Sequence, residues 1–284
     1  MRSVIKEKVM RAVFAGAACF SVLSVMLICL FLFANGLPAI ARIGPLRFLL
    51  GLTWQPSNNV YGILPMIIGS LYVTAGALAL GVPVGLLTAI YLARFCRPRL
   101  YRLIKPAVSL LAGIPSVVYG FFGLVVIVPG ARDIFGGKGY SVLSASVLLA
   151  IMILPTVVSV AEAAIRAVPE SYYEGALALG ATHERGVYSI LVPAGKSGIF
   201  AGIVLGAGRA IGETMAVIMV AGNQARMPDS ILKGVRTLTA NIVIEMGYAA
   251  DLHREALIAT AVVLFIFILL LNLSLQMLNR RAGV

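Results

Sequence analysis

Charge is scarce in this sequence. Asp, Glu, Lys and Arg make up 12% of the 284 residues, and 60% are apolar, whereas soluble globular domains carry about 25% charged residues. So few charges cannot cover a water-facing surface. Disorder is excluded as well, since it needs low hydrophobicity and high net charge. Cysteine is sparse: Cys19 and Cys29 lie inside the first apolar run and Cys96 in a basic segment, none at metal or disulfide spacing. The two histidines, His183 and His253, stand far apart, so no metal ligand set and no cofactor is expected. No G-x-x-x-x-G-K-[ST] phosphate loop occurs, and no Ser/His/Asp or metal constellation supports a membrane enzyme. The formal charge of +12 is spread between apolar segments, not gathered in a stripe with interleaved aromatics. That pattern fits loop topology in a bilayer and argues against nucleic acid.

Long charge-free runs take the place of charge. They cover 12–41, 48–93, 106–131, 139–161, 197–208 with 214–225, and 256–279. All but the interrupted fifth exceed the 18 or so residues that mark a membrane helix. Trp54 to Asn59 is polar and turn-like, so the second run holds a loop and one helix. The sequence therefore predicts an all-α membrane protein with six transmembrane helices, at 12–34, 63–93, 106–129, 141–164, 197–223 and 256–279. Fourteen Lys and Arg fall on the side of the N-terminus and eight on the other, with Arg209 inside the fifth span. That bias places both termini in the cytoplasm: a cytoplasmic N-terminus 1–11, a periplasmic loop 35–62, a core of five helices over 63–279 and a cytoplasmic tail 280–284. The first run is longer than a secretory h-region and is expected to be an uncleaved helix.

Two features point to chemistry. The fifth span carries Arg209 and Glu213, four residues apart and so on one face of a continuous helix. A charge at membrane depth costs about 2.5–3.5 kcal/mol, and ion pairs seldom stabilise better than apolar packing, which favours a polar path. Arg offers several donors and a permanent charge to an oxyanion. Beside them are Thr214, Ser116 and Thr156, each near a span proline or the pair, and Ser70 and Thr74, one turn apart. Gly198, Gly202 and Gly206 share one face, and Gly208 and Gly212 repeat the spacing. Such ladders permit close helix approach, within one subunit or between two. The second feature is the loop 165–196, long for a passive connector. Pro169 suits a helix start, Gly180 a helix stop and Thr182 the cap of a second short helix. Two short helices outside the bilayer fit either a protein groove or the membrane surface.

That loop resembles the coupling loop of ABC importer permeases. Glu174-Gly175-Ala176, then Gly180, Ile190 and Val192-Pro193, match its Glu-Ala-Ala, Gly, Ile, Leu-Pro spacing, with Gly175 and Val192 as departures. The stretch Gly208-Arg209-Ala210-Ile211-Gly212-Glu213-Thr214-Met215-Ala216-Val217 resembles the phosphate-specific (Pst) permeases, in their C-type subunit. Ala112 to Gly120, Ile151 to Thr156 and Gly180-Ala181-Thr182 resemble the same family, over roughly 60–275. The resemblance implies a MetI-like importer permease fold and a substrate path past Arg209 and Glu213. It also implies coupling to a cytoplasmic ATPase through Glu174, Gly175, Ala176, Gly180, Ala181, Thr182, Ile190 and Pro193. The implied partners are an A-type permease as heterodimer mate, ATP-binding subunits and a phosphate-binding protein, in the inner membrane. Without the resemblance, a stand-alone carrier or channel and an importer of sulfate or molybdate fit the same charges.

Overall fold

The computed structural model describes the backbone of residues 2–283. The side chains of Arg2, Lys8, Arg280 and Arg281, used above to orient the chain, lie outside the described residues. The order is α1 (Arg2–Ile43), α2 (Pro45–Leu50), a small antiparallel hairpin β1 (Trp54–Gln55) and β2 (Val60–Tyr61), and α3 (Leu64–Ile90), which ends in a π-wound turn Tyr91–Phe95. Then follow α4 (Pro98–Gly113), α5 (Ser116–Phe122), α6 (Val128–Phe135), α7 (Val142–Arg166), α8 (Glu170–Ala178), α9 (His183–Gly186) and α10 (Val192–Ala194). The chain closes with α11 (Lys196–Gly212), α12 (Met215–Val220), α13 (Leu238–Met246) and α14 (Asp251–Gly283).

Among the described residues five helical segments are long and apolar enough to cross a membrane: Val9–Ile43, Leu64–Phe95, Ser116–Phe135, Val142–Arg166 and Asp251–Ser274. A sixth arises from the pair His183–Ala194 and Lys196–Gly212, bent by 67°. The third span differs from its expected 106–129. Residues 98–113 form the separate helix α4, and the span itself begins at Ser116. The break falls at Ile114, whose ψ is 126°, because a residue before proline is pushed out of the α region. The terminal helices run beyond 12–34 and 256–279, and helix continues through the expected tail to Gly283.

Helix α7 is the hub. Its Leu148, Leu149, Met152, Ile153, Val157, Ala161 and Ile165 are buried. Glycine faces close on it from two helices. On α3, an added Cβ at Gly76 would strike Ser146, and at Gly81 and Gly85 it would come within 2.9 Å of Ile153 and Val157. On α11, a Cβ at Gly198 would overlap Ala164, at Gly202 it would lie 3.2 Å from Val160 and at Gly206 3.0 Å from Val157. Lipid supplies no hydrophobic drive between helices, so close backbone approach holds the trio together. This ladder is spent on packing within one chain. Gly208 and Gly212 face nothing within 4 Å. Elsewhere α1 lies along α14, with Gly36 against Val262 and Ala259 and Phe33 edge-on to Phe265.

Candidate functional site

The fifth span is broken where the charges lie. Helix α11 stops at Gly212, Glu213 is extended (φ −69°, ψ 133°), and α12 starts at Met215. The expected one-turn pairing of Arg209 with Glu213 on a continuous helix is therefore corrected. Among the described residues neither takes part in an ion pair. The Glu213 carboxylate turns to α12 and accepts from the Ala216 N–H at 3.1 Å. Arg209, in the last turn of α11, reaches Thr156 Oγ1 of α7 at 3.5 Å. Each charge sits at the helix end whose partial charge opposes it, the cation at a C-terminus and the anion at an N-terminus. The break thus supports both without pairing them, and Arg209 keeps most of its donors available.

Other elements converge on the break. Thr239 Oγ1, at the start of α13, donates to the Glu213 carbonyl at 3.1 Å and contacts Thr237 Oγ1 at 3.1 Å. Ser70 of α3 accepts from the Leu238 N–H at 3.0 Å. Thr156, Arg209, Glu213, Thr214, Thr239 and Ser70 therefore lie along one polar seam joining α7, α11, α12, α13 and α3. Thr214 turns back to the Gly212 carbonyl at 3.2 Å. Thr74 is buried and Ser116 half-buried; neither makes a side-chain hydrogen bond among the described residues. Thr237 and Thr239 escape a sequence reading because they sit at the start of a short helix that follows a polar loop.

Beyond α13 lies an ionic network that the sequence does not reveal. Arg236 donates to Glu245 at 2.6 Å and to Asn241 at 3.0 Å, and its Nε bonds the Asn223 carbonyl. The other Glu245 oxygen accepts from the Trp54 indole N–H and faces His253 Nε2, both at 2.8 Å. Trp54 and Glu245 are 191 residues apart, and no local spacing signals the link.

At the other end of α7 stands the loop 165–196. Helix α8 begins at Glu170, held by Arg94 of the π-wound turn at 2.8 and 3.1 Å. Gly180 closes α8 with φ +83°, and the Ala181 N–H reaches back to the Ala176 carbonyl at 3.0 Å, the left-handed closure that glycine allows. Thr182 caps α9 by accepting from the Arg185 N–H at 3.3 Å. Tyr173 Oη meets His183 Nδ1 at 2.7 Å and fixes α8 against α9. Glu174, Gly175 and Gly180 are exposed, and Leu179 is 92% exposed. A groove of about 410 Å³ is lined by Ala176, Leu179, Gly180, Ala181, Arg185 and Ile190. Pro193 lies in α10, at the bend into α11. An exposed apolar tip beside a groove suits contact with another protein.

A second charged cluster was also hidden, because Glu162 marks the end of a charge-free run. Its carboxylate is 2% exposed and accepts from Lys105 Nζ (2.6 Å), Tyr101 Oη (2.8 Å) and Arg166 Nε (2.9 Å). The bond to Glu162 pushes the Tyr101 phenol above its usual range.

Residues 81–284 match the family described as binding-protein-dependent transport system inner membrane component. The chain is 35% identical over 281 residues to a Bacillus subtilis protein named "Probable ABC transporter permease protein YqgH", covering 96% of this chain and 91% of the relative. It is 35% identical to the phosphate transport system permease protein PstC of Mesorhizobium japonicum, over 88% of this chain and 83% of that one. The PstC of Haemophilus influenzae is 34% identical over 77% and 76%. Among solved structures, a bacterial alginate ABC transporter matches with TM-score 0.66 and 18% identity over 98% of this chain and 99% of the other. The MetNI methionine ABC transporter matches with TM-score 0.64 and 20% identity over 82% and 100%. Those two likenesses bear on fold alone.

Proposed function

The chain belongs to the binding-protein-dependent transport system inner membrane components, alongside the PstC permeases, and we propose that it is the subunit through which an ATP-driven importer passes inorganic phosphate. It is a multi-pass membrane permease with a MetI-like fold, and ATP hydrolysis belongs to a separate subunit. The observation that carries the substrate reading is Arg209. It is a cation inside a span, without an ion pair among the described residues, at a helix break where backbone and hydroxyl groups converge. Such a guanidinium matches a tetrahedral oxyanion, and the PstC relatives favour phosphate over sulfate or molybdate.

In this reading the loop 165–196 and both termini lie on the ATPase side. The exposed tip around Leu179, with Glu174 and Gly175, docks in a groove of the ATPase. ATPase closure moves α8 and α9, which lead through α10 and the bend that follows it into α11. Because α11 meets α7 through glycines, with little side-chain slack, it shifts as one body and moves the break with it. A phosphate-binding protein delivers to the opposite face, and an A-type permease supplies the other half of the path.

The test is uptake into vesicles holding the chain with its ATPase, its permease mate and the binding protein. Uptake that needs ATP, prefers phosphate to sulfate and is lost in Arg209→Gln, with assembly intact, supports the reading. Uptake by this chain alone without ATP would make it a self-sufficient carrier, and preference for sulfate would reassign the substrate.

A further inference from the structure

The cluster around Glu162 has more cation than a clamp between α4 and α7 requires. One buried carboxylate lies between two cations, Lys105 with 28% of its side chain exposed and Arg166 with 45%. The guanidinium of Arg166 also bonds the Leu92 carbonyl at 2.7 Å and lies 4.6 Å over the Tyr101 ring, while Lys105 Nζ reaches Ser159 at 3.5 Å. The anion is closed off and the cations are open, so the trio presents one net positive charge outward.

Its place on α7 gives that charge a use. Thr156 contacts Arg209. Ser159, Glu162 and Arg166 follow it at steps of three, three and four residues, along the side of α7 that meets α4. The opposite side is closed by the glycines of α3 and α11. Ten residues at about 1.5 Å each put Arg166 roughly 15 Å beyond Thr156 along the axis. A polar stripe thus leads from the helix break to the end of α7 next to the coupling loop.

We propose that Lys105 and Arg166, balanced by Glu162, form a second station for the transported oxyanion on the coupling-loop side of Arg209. This rests on the oxyanion path assigned above. An anion leaving Arg209 needs a favourable next stop, but one weak enough to release it. Two cations alone would retain the anion; a carboxylate between them lowers the net charge to one.

The charge logic makes the test specific. In vesicles with the full importer, Lys105→Met should slow ATP-driven phosphate uptake about tenfold, the scale of one lost charge-assisted contact. Glu162→Gln should slow it too, by retaining the anion. The double variant K105M/E162Q restores the net charge of one and should recover to within about threefold of the native rate. A purely structural clamp gives a double variant no better than the worse single, and that result overturns the proposal. A measurement on the native complex needs no variant to fold: phosphate, but not chloride, should slow acetylation of Lys105 several-fold, followed by peptide mass spectrometry. Equal rates in the two anions overturn the station while leaving the importer assignment standing. Absence of ATP-driven phosphate uptake by the native complex overturns both.

Discussion

Within α11 the same substitution should have opposite effects ten residues apart. At Gly198 an added Cβ overlaps the Ala164 methyl and lies 3.5 Å from its Cα. Neither atom belongs to a side chain that can rotate away, so the helices must separate. At Gly208 nothing lies within 4 Å. Replacing a helical glycine by alanine gains about 1 kcal/mol of propensity, whereas overpacking costs about 1–3 kcal/mol. The rigid neighbour places Gly198→Ala near the upper end of that cost, for a net loss of about 2 kcal/mol. Gly208→Ala keeps its gain, so the two variants should differ by about 3 kcal/mol. Gly202→Ala, whose nearest contact is the Val160 Cβ at 3.2 Å, a milder approach than the overlap at Gly198, should fall between them. Unfolding midpoints of the purified protein in a denaturing-detergent titration would rank the three. Equal midpoints for the Gly198 and Gly208 variants would refute the close seating of α11 on α7.

Further expectations concern single groups. Gly180→Val forces a β-branched residue into the left-handed region, at about 1–2 kcal/mol, and should lower transport per ATP hydrolysed while insertion stays normal; Glu174→Lys should do the same from the exposed face, and unchanged coupling in both would remove the docking assignment. Glu213→Ala removes the acceptor for the Ala216 N–H and should cost about 1 kcal/mol, whereas Glu213→Gln keeps an acceptor and should cost less; equal losses would mean the carboxylate does not cap α12. Glu245→Gln leaves Arg236 nearly buried without its carboxylate, a change worth about 3–5 kcal/mol. It should also shift the emission of Trp54, the single tryptophan, and unchanged emission would contradict the 2.8 Å bond.

The membrane class and the rough number of spans were legible because apolar run length responds directly to bilayer thickness. The breaks were not. Counting charges merges α4 with the span at Ser116, since nothing charged separates Lys105 from Arg132, and the constraint imposed by Pro115 on Ile114 is conformational. Likewise Arg209 and Glu213 at a four-residue spacing read as neighbours only if the helix continues, and Glu213 instead turns to cap α12. The glycine ladder was visible, but its partner was not: Ala164, Val160 and Val157 lie on a different span. Glu162, Arg236, Glu245 and Trp54 acquire meaning only through contacts between distant segments, on which sequence periodicity carries no information.

The pairing of α1 with α14 also sets a schedule for making the protein. Gly36 meets Val262, which is 226 residues further along the chain. At about 5–20 residues per second of synthesis, α1 waits roughly 10–45 s for that partner to emerge. During that interval its sides are solvated by lipid, so it must be stable as a solitary inserted helix. Its 35-residue segment, which contains an 18-residue stretch with a mean hydropathy of 2.6, meets that requirement. Helix α1 is therefore made well before the partner that seats it, and the contact of α1 with α14 is a checkpoint passed only once α14 has been synthesised.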